Sequence, residues 1–157
     1  MYMTICPSPE TVQKNVADIR RRVEEAARSC GRDPREITVM AVTKTVEPPA
    51  INEAIRQGVT LLGENKVQEY LDKREQYLPA TVHFIGNLQT NKVKYIIDRV
   101  AMIQSVSSEK LALEIEKQAA KHNLVMPVLL EVNIGQEETK GGFSPDELYQ
   151  VLPKLAQ

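Results

Sequence analysis

The sequence predicts an α/β protein built on a parallel sheet. Short apolar runs alternate with amphipathic segments along nearly the whole chain, the order expected when helices connect parallel strands. Polar residues directly follow these runs, as at the carboxyl ends of parallel strands, where functional groups gather. On periodicity alone, two architectures remain open: an open doubly wound sheet, and the first five strand-helix units of an eight-stranded (β/α)8 barrel.

The first two elements are a helix and a strand. Ser8 can cap a helix, Pro9 suits its first position, and the apolar residues that follow recur at helical spacing until Gly31. The mostly β-branched run 37–43 predicts the first strand. Its continuous apolar character is typical of a strand covered on both faces.

The same alternation continues to the end of the sequence. Helices are predicted over about 48–58, 66–77 and 92–98, and strands over 59–63, 82–86 and 100–104. We expect Ser107 to cap a helix that closes near Asn123, and the run 127–134 to form the fifth strand. Ser144 and Glu147 have the spacing of a capping box, which predicts one more helix.

Composition excludes several classes of function. Lys and Arg total 20 against 21 Asp and Glu, so no charge excess favours a nucleic acid or an anionic membrane as partner. No apolar run reaches the ~18 residues of a membrane span, and residues 1–7 lack the pattern of an export leader. Cys6 and Cys30 form no C-x-x-C pair. We therefore expect free thiols, no metal site and a cytoplasmic location.

Lys44 is the first candidate site residue. It follows the apolar first strand with one threonine between, a position where burial would favour the neutral amine. A neutral lysine amine is a nucleophile toward aldehydes, which makes Lys44 a candidate for a Schiff base. The alternative is a lysine that extends to water or pairs with Glu64.

Three segments give Lys44 a context. Residues 41–45, 63–69 and 83–92 (AVTKT, GENKVQE and HFIGNLQTNK) occur in this order. Together they resemble the pyridoxal phosphate homeostasis protein family, whose fold is similar to the barrel domain of bacterial alanine racemase. The later segments 104–106 and 132–135, with Gly142 and Phe143, match in the same order.

The resemblance implies a barrel that binds pyridoxal 5'-phosphate (PLP) through a Schiff base on Lys44, with Asn65 beside the cofactor. It implies a role in intracellular PLP homeostasis and supply, with little catalysis of its own and with PLP-dependent client enzymes as partners. We expect residues 1–157 to form one PLP-binding barrel domain, a monomer or weak dimer. It would lack the last three strands and the loops that hold the phosphate.

Three further residues are candidates for the cofactor site. His83 could act near the cofactor as a base or be a satisfied core residue. Asn133 is a polar residue at the end of the fifth predicted strand. Lys140 lies in a glycine-containing loop and could accept PLP as a second amine, or pair with Glu137.

Two enzymatic alternatives remain beside the homeostasis role. A racemase of the related barrel type needs a second domain that supplies an opposing tyrosine, and the sequence contains no such domain. A Schiff-base aldolase would use the lysine without PLP. A visible absorbance band on the purified protein, erased by borohydride, separates the PLP-dependent interpretations from the aldolase.

Overall fold

The structure is a computed structural model that describes residues 6–137 and 139–155. The described residues cluster in two compact units. The first contains those up to Gly63 together with Leu71–Thr81, and the second contains Glu64–Tyr70 and those from Val82 onward. The single domain over 1–157 stays a prediction. Residues 1–5, which contributed to the expectation of no leader, lie outside the described residues.

The first unit packs two helices on the beginning of the sheet. Helix α1 (Pro9–Ser29), strand β1 (Met40–Val42), helix α2 (Pro48–Arg56) and strand β2 (Leu61–Glu64) follow in order. The Ser8 hydroxyl caps α1 by accepting from Thr11 N at 3.3 Å, as predicted. Strand β1 pairs in parallel with β2. One cluster of buried side chains in this unit contains Val12, Ala50, Ala54 and Val59.

The rest of the chain continues the alternation. Helix α3 (Val67–Lys73) leads through a short 3₁₀ turn to strand β3 (Thr81–Phe84). A 3₁₀ helix (Thr90–Tyr95) stands where the sequence predicted a short helix, followed by strand β4 (Met102–Val106) and helix α4 (Glu109–Lys121). Strand β5 (Val128–Leu130) and helix α5 (Pro145–Leu155) complete the described elements.

The strand order distinguishes the two predicted architectures. Strands β3 and β4 pair in parallel, as do β4 and β5. Strands β2 and β3 are also neighbours, since Thr81 N donates to Thr60 O within the first unit and Ile85 N donates to Glu64 O within the second, each at 2.8 Å. Neighbouring strands are thus consecutive in the chain. A doubly wound sheet reverses its strand order, so the partial barrel is confirmed and the doubly wound alternative is wrong.

Strands β1 and β5 are less covered than the sequence suggested. Val42 is 49% exposed, and Val128 and Leu129, which alternate between the two faces of β5, are 40% and 50% exposed. The expectation that the first strand is covered on both faces is therefore wrong. Among the described residues, β1 pairs with β2 alone and β5 with β4 alone, so neither has a second neighbour to help bury its side chains.

The helix starts follow local capping chemistry. The predicted capping box at α5 is confirmed, since Ser144 N donates to Glu147 Oε2 at 2.8 Å and Glu147 N donates to Ser144 Oγ at 3.2 Å. The cap of α4 is Ser108, which accepts from Leu111 N at 3.2 Å, and not Ser107. Strand β4 runs two residues beyond its predicted end, which moves the helix start by one residue.

No helix in the described part of the chain combines the length and the apolar character needed to cross a membrane.

The adjacent residues Ser107 and Ser108 provide a matched test of the α4 cap. Ser108→Ala should lower the free energy of unfolding by about 1 kcal/mol, because it leaves a helical N–H without its acceptor. Ser107→Ala should change it by less than about 0.5 kcal/mol. Urea denaturation followed by circular dichroism measures both. Equal losses for the two variants would contradict the assignment.

Candidate functional site

Lys44 lies in a tight turn at the carboxyl end of β1. Thr43 is buried and donates its N–H to Gly63 O at 3.0 Å, which extends the ladder between β1 and β2. Val46 N then donates to Thr43 O at 3.2 Å, closing a four-residue turn in which Lys44 and Thr45 are the central residues. The turn places the Lys44 side chain directly at the strand end.

This turn contains an unfavourable backbone conformation. Thr45 has a φ of 59°, in the left-handed region that β-branched residues rarely adopt. Such a conformation costs of order 1–3 kcal/mol and persists only where the surroundings hold it in place. Two hydrogen bonds contribute to this, since the buried Lys73 side chain donates from its ammonium to Thr43 O at 3.0 Å and to Val46 O at 3.3 Å.

The burial expected for Lys44 is not found. Its side chain is exposed in the described structure, because the turn carries it off the end of the strand while Thr43 occupies the buried position. The expectation of a desolvated amine is therefore wrong. What the structure provides is a primary amine accessible to an aldehyde and carried by a fixed segment of backbone.

The ends of β2, β3 and β4 meet closely in the second unit. A Cβ atom at Gly86 would lie 2.1 Å from Asn65 O and 2.6 Å from Asn65 Cα, closer than nonbonded atoms can approach. The buried Ser105 hydroxyl donates to Gly86 O at 2.5 Å. Three strand ends are thus joined at one point, and only glycine fits at position 86.

Asn65 has unused hydrogen-bonding capacity at this point. Its Oδ1 atom is buried and has no hydrogen-bond partner among the described residues. Buried amide groups rarely lack partners, and such an atom is a reason to look for a ligand. The Asn65 Oδ1 atom can therefore accept a hydrogen bond from a ligand at this point.

His83 is half-buried on β3, and its Nδ1 lies 2.9 Å from the amide Nε2 of Gln104 on β4. Burial lowers the pKa of His83 below its ordinary value of 6.5, since desolvation disfavours the charged ring. With Nδ1 accepting from the amide, the ring proton lies on Nε2. His83 can thus offer a neutral N–H donor. This differs from both roles that the sequence left open, a base near the cofactor and a satisfied core residue.

A polar cleft of about 410 Å³ lies at the carboxyl ends of β3, β4 and β5. Gln104, Ser105, Glu131 and Lys140 are among the residues that line it. Lys140 is exposed, and in the described structure it forms no ion pair with Glu137, although its backbone N–H donates to Glu137 O at 3.1 Å.

Asn133 has mainly a structural environment. Its Nδ2 donates to Glu137 O at 3.0 Å and its Oδ1 accepts from Glu137 N at 3.2 Å. Both ends of the amide thus hold the loop that leads to Lys140. The structure links Asn133 to the shape of that loop and shows no unpaired polar atom on it.

Three residues that fix the strand ends were not found from the sequence. They are Lys73, Gly86 and Ser105, whose hydroxyl donates to Gly86 O. Lys73 is thirty positions from its acceptor Thr43, and no local pattern marks such a contact. Gly86 could have been suspected, because an isolated glycine that ends a strand often marks a close backbone approach. Among the described residues, no group of His, Cys, Asp and Glu side chains is arranged to hold a metal ion.

Comparison with known proteins gives a consistent picture. Residues 13–157 match the model of the alanine racemase N-terminal domain. The pyridoxal phosphate homeostasis protein of Aquifex aeolicus is 42% identical over 141 residues, which cover 88% of this chain and 62% of that protein. The chain thus spans less than two thirds of the length of this relative.

Two solved structures resemble the chain over most of its length. A crystal structure of an unknown protein from Bifidobacterium adolescentis matches with a TM-score of 0.85 and 30% identity, over 95% of this chain and 65% of that one. PipY of Synechococcus elongatus, solved with PLP bound, matches with a TM-score of 0.70 and 30% identity, over 86% of this chain and 64% of that one.

The contact at Gly86 predicts a destabilising substitution. Gly86→Ala should lower the free energy of unfolding by about 1–3 kcal/mol, because the added methyl group forces the backbone of Asn65 aside. Gly135→Ala is the control, since its Cβ would have no neighbour closer than 3.6 Å. It should change the free energy by less than about 0.5 kcal/mol. Urea titration measures both, and a Gly86→Ala variant as stable as the unmutated chain would refute the close approach.

The environment of His83 predicts its titration. NMR of the ring Cε1–H should give a pKa below 6.5, because burial disfavours the imidazolium. The unfolded chain then binds more protons than the folded one just below about pH 6.5, so stability falls as pH drops from there through the folded pKa. Gln104→Leu, which removes the amide and keeps an apolar neighbour, should leave the pKa low. A pKa above 6.5 would contradict burial as the dominant effect.

Proposed function

This chain belongs to the alanine racemase N-terminal domain family, and on that premise we propose that it binds PLP through the amine of Lys44 and serves in PLP homeostasis. The observation that carries the proposal is the turn at the end of β1, which presents an accessible primary amine on a held backbone. Relatives named for PLP homeostasis and the PLP-bound structure of PipY support it.

PLP would supply an aldehyde, whose carbonyl carbon forms a C=N bond with Lys44 Nζ as water is released. The chain's own contribution is to hold the amine in one place. Because the strand ladder and the Lys73 hydrogen bonds fix both sides of the turn, only the Lys44 side chain must be ordered on binding. Binding is tighter when fewer groups of the protein lose conformational freedom on binding.

Other residues would orient the cofactor without bonding to it covalently. The buried amide of Asn65 can satisfy its open hydrogen-bonding capacity with a polar group of PLP. His83 would offer a neutral N–H, and Lys140 a cation or a second amine in the cleft of the second unit. Asn133 would act through the loop that carries Lys140.

A reversible covalent bond to an exposed lysine suits storage of a reactive aldehyde. Such a bond keeps the free aldehyde scarce and releases it by hydrolysis, and PLP-dependent client enzymes would then receive it. We propose a cytoplasmic protein that is a monomer or a weak dimer. Cys6 and Cys30 are both free thiols in the structure, which suits a reducing compartment.

The proposal predicts where the cofactor is attached. The purified 157-residue chain is incubated with PLP, reduced with borohydride, digested and analysed by mass spectrometry. Most of the adduct should lie on Lys44, because this amine is held where the backbone cannot move it away. Lys44→Arg should remove that adduct and leave the circular dichroism spectrum unchanged, since an exposed side chain contributes little to the core.

Lys66, Lys92 and Lys140 are the other lysines on which adduct is compared with that on Lys44. Adduct found mainly on one of them, with little on Lys44, would overturn the assignment of the attachment site. Absence of both the adduct and a visible absorbance band with PLP in a full-length version of the chain would refute the proposed cofactor and return the aldolase to consideration.

A further inference from the structure

We propose that Lys73 is a positioning residue for Lys44, acting through the backbone of the turn between them. The proposal rests on the function proposed above, because it concerns the amine to which PLP would be attached. It adds a residue that the resemblance does not assign, at the carboxyl end of α3.

The first support is the placement of the ammonium group. Lys73 is the last residue of α3, and its side chain is 9% exposed. A buried ammonium needs hydrogen-bond acceptors, since burying a charge without them costs several kcal/mol. Its two acceptors in the turn are Thr43 O at 3.0 Å and Val46 O at 3.3 Å.

The second support is the position of the two carbonyl oxygens that the Lys73 ammonium binds. Thr43 and Val46 are the two ends of the turn whose centre is Lys44 and Thr45. One ammonium therefore bridges the residue before Lys44 and the residue two positions after it. A point charge with several donors can bridge both oxygens at once, which fixes the distance between the ends of the turn.

The third support is the conformation of Thr45. Its left-handed φ of 59° is unfavourable for a β-branched residue, so the hydrogen bonds at the two ends of the turn oppose a change of its shape. Loss of the Lys73 ammonium should then let Lys44 move away from its position at the strand end. The inference predicts a local effect on the reactivity of Lys44 and no general loss of folding.

The test measures the share of PLP adduct on Lys44. The full chain and its Lys73→Met variant, which keeps an unbranched side chain and removes the ammonium group, are treated with PLP and borohydride. Adduct on Lys44 is expressed relative to adduct on the exposed Lys110 of α4. We expect this ratio to fall about tenfold or more, since small misplacements of a reacting group have large effects.

Asn52→Ala is the matched control for destabilisation. Asn52 joins α2 to the segment after α3, donating to Gln76 O at 2.8 Å and accepting from Leu78 N at 2.7 Å, and neither hydrogen bond involves the turn. Its variant should leave the ratio within about twofold of the unmutated chain. A ratio for Lys73→Met within twofold of the unmutated chain, or an equal fall in both variants, would overturn the inference.

Hydrogen exchange tests the turn without PLP and without a variant. If the turn is held, the Val46 N–H, which donates to Thr43 O, should exchange at least about a hundredfold more slowly than an open amide. Exchange at the unprotected rate would overturn the inference, even if Lys73→Met failed to fold. Protection at Val46 together with no adduct on Lys44, in the unmutated chain and in a full-length version of it, would instead refute the proposed function and leave the held turn established.

Discussion

When a parallel sheet ends, the carbonyl oxygens of its last residues lose the partners that the ladder supplied, and buried ones must find new donors. The structure meets this need differently at each strand. Lys73 supplies an ammonium to Thr43 O, and Thr43 N reaches Gly63 O. Ser105 Oγ donates to Gly86 O, and Glu131 N donates to Val106 O. At each strand end, the polar groups are therefore fixed by the same bonds that end the strand.

The same constraint sets the positions of several polar groups at the strand ends. Groups that satisfy carbonyl oxygens cannot move without leaving those oxygens unpaired, so their positions are set by the fold. Lys44 and the amide of Asn65 differ from them, because neither is used in this way. Both are among the residues that the resemblance assigns to the cofactor.

The predictions that succeeded rest on interactions between residues close in sequence. The caps at Ser8 and Ser144 and the succession of strands needed only local patterns. Ser107 and Ser108 are adjacent and have the same side chain, so local sequence cannot tell which of them caps α4. The end of β4 decides this. The exposure of Lys44 and the role of Lys73 depend on how the chain turns in space. A left-handed threonine could not be expected either, since threonine disfavours that conformation.

The close approach at Gly86 bears on how sequence alignments of such proteins are interpreted. An invariant position near a cofactor is usually taken as a sign of selection for binding. Here a methyl group at position 86 would overlap the backbone of Asn65 whether or not a ligand is present, so purifying selection would remove every substitution for reasons of packing alone. Glycine would then persist at this position in lineages that had lost the cofactor, and its retention would say nothing about activity. Retention of lysine at position 44, an exposed side chain that the fold does not need, is the informative signal.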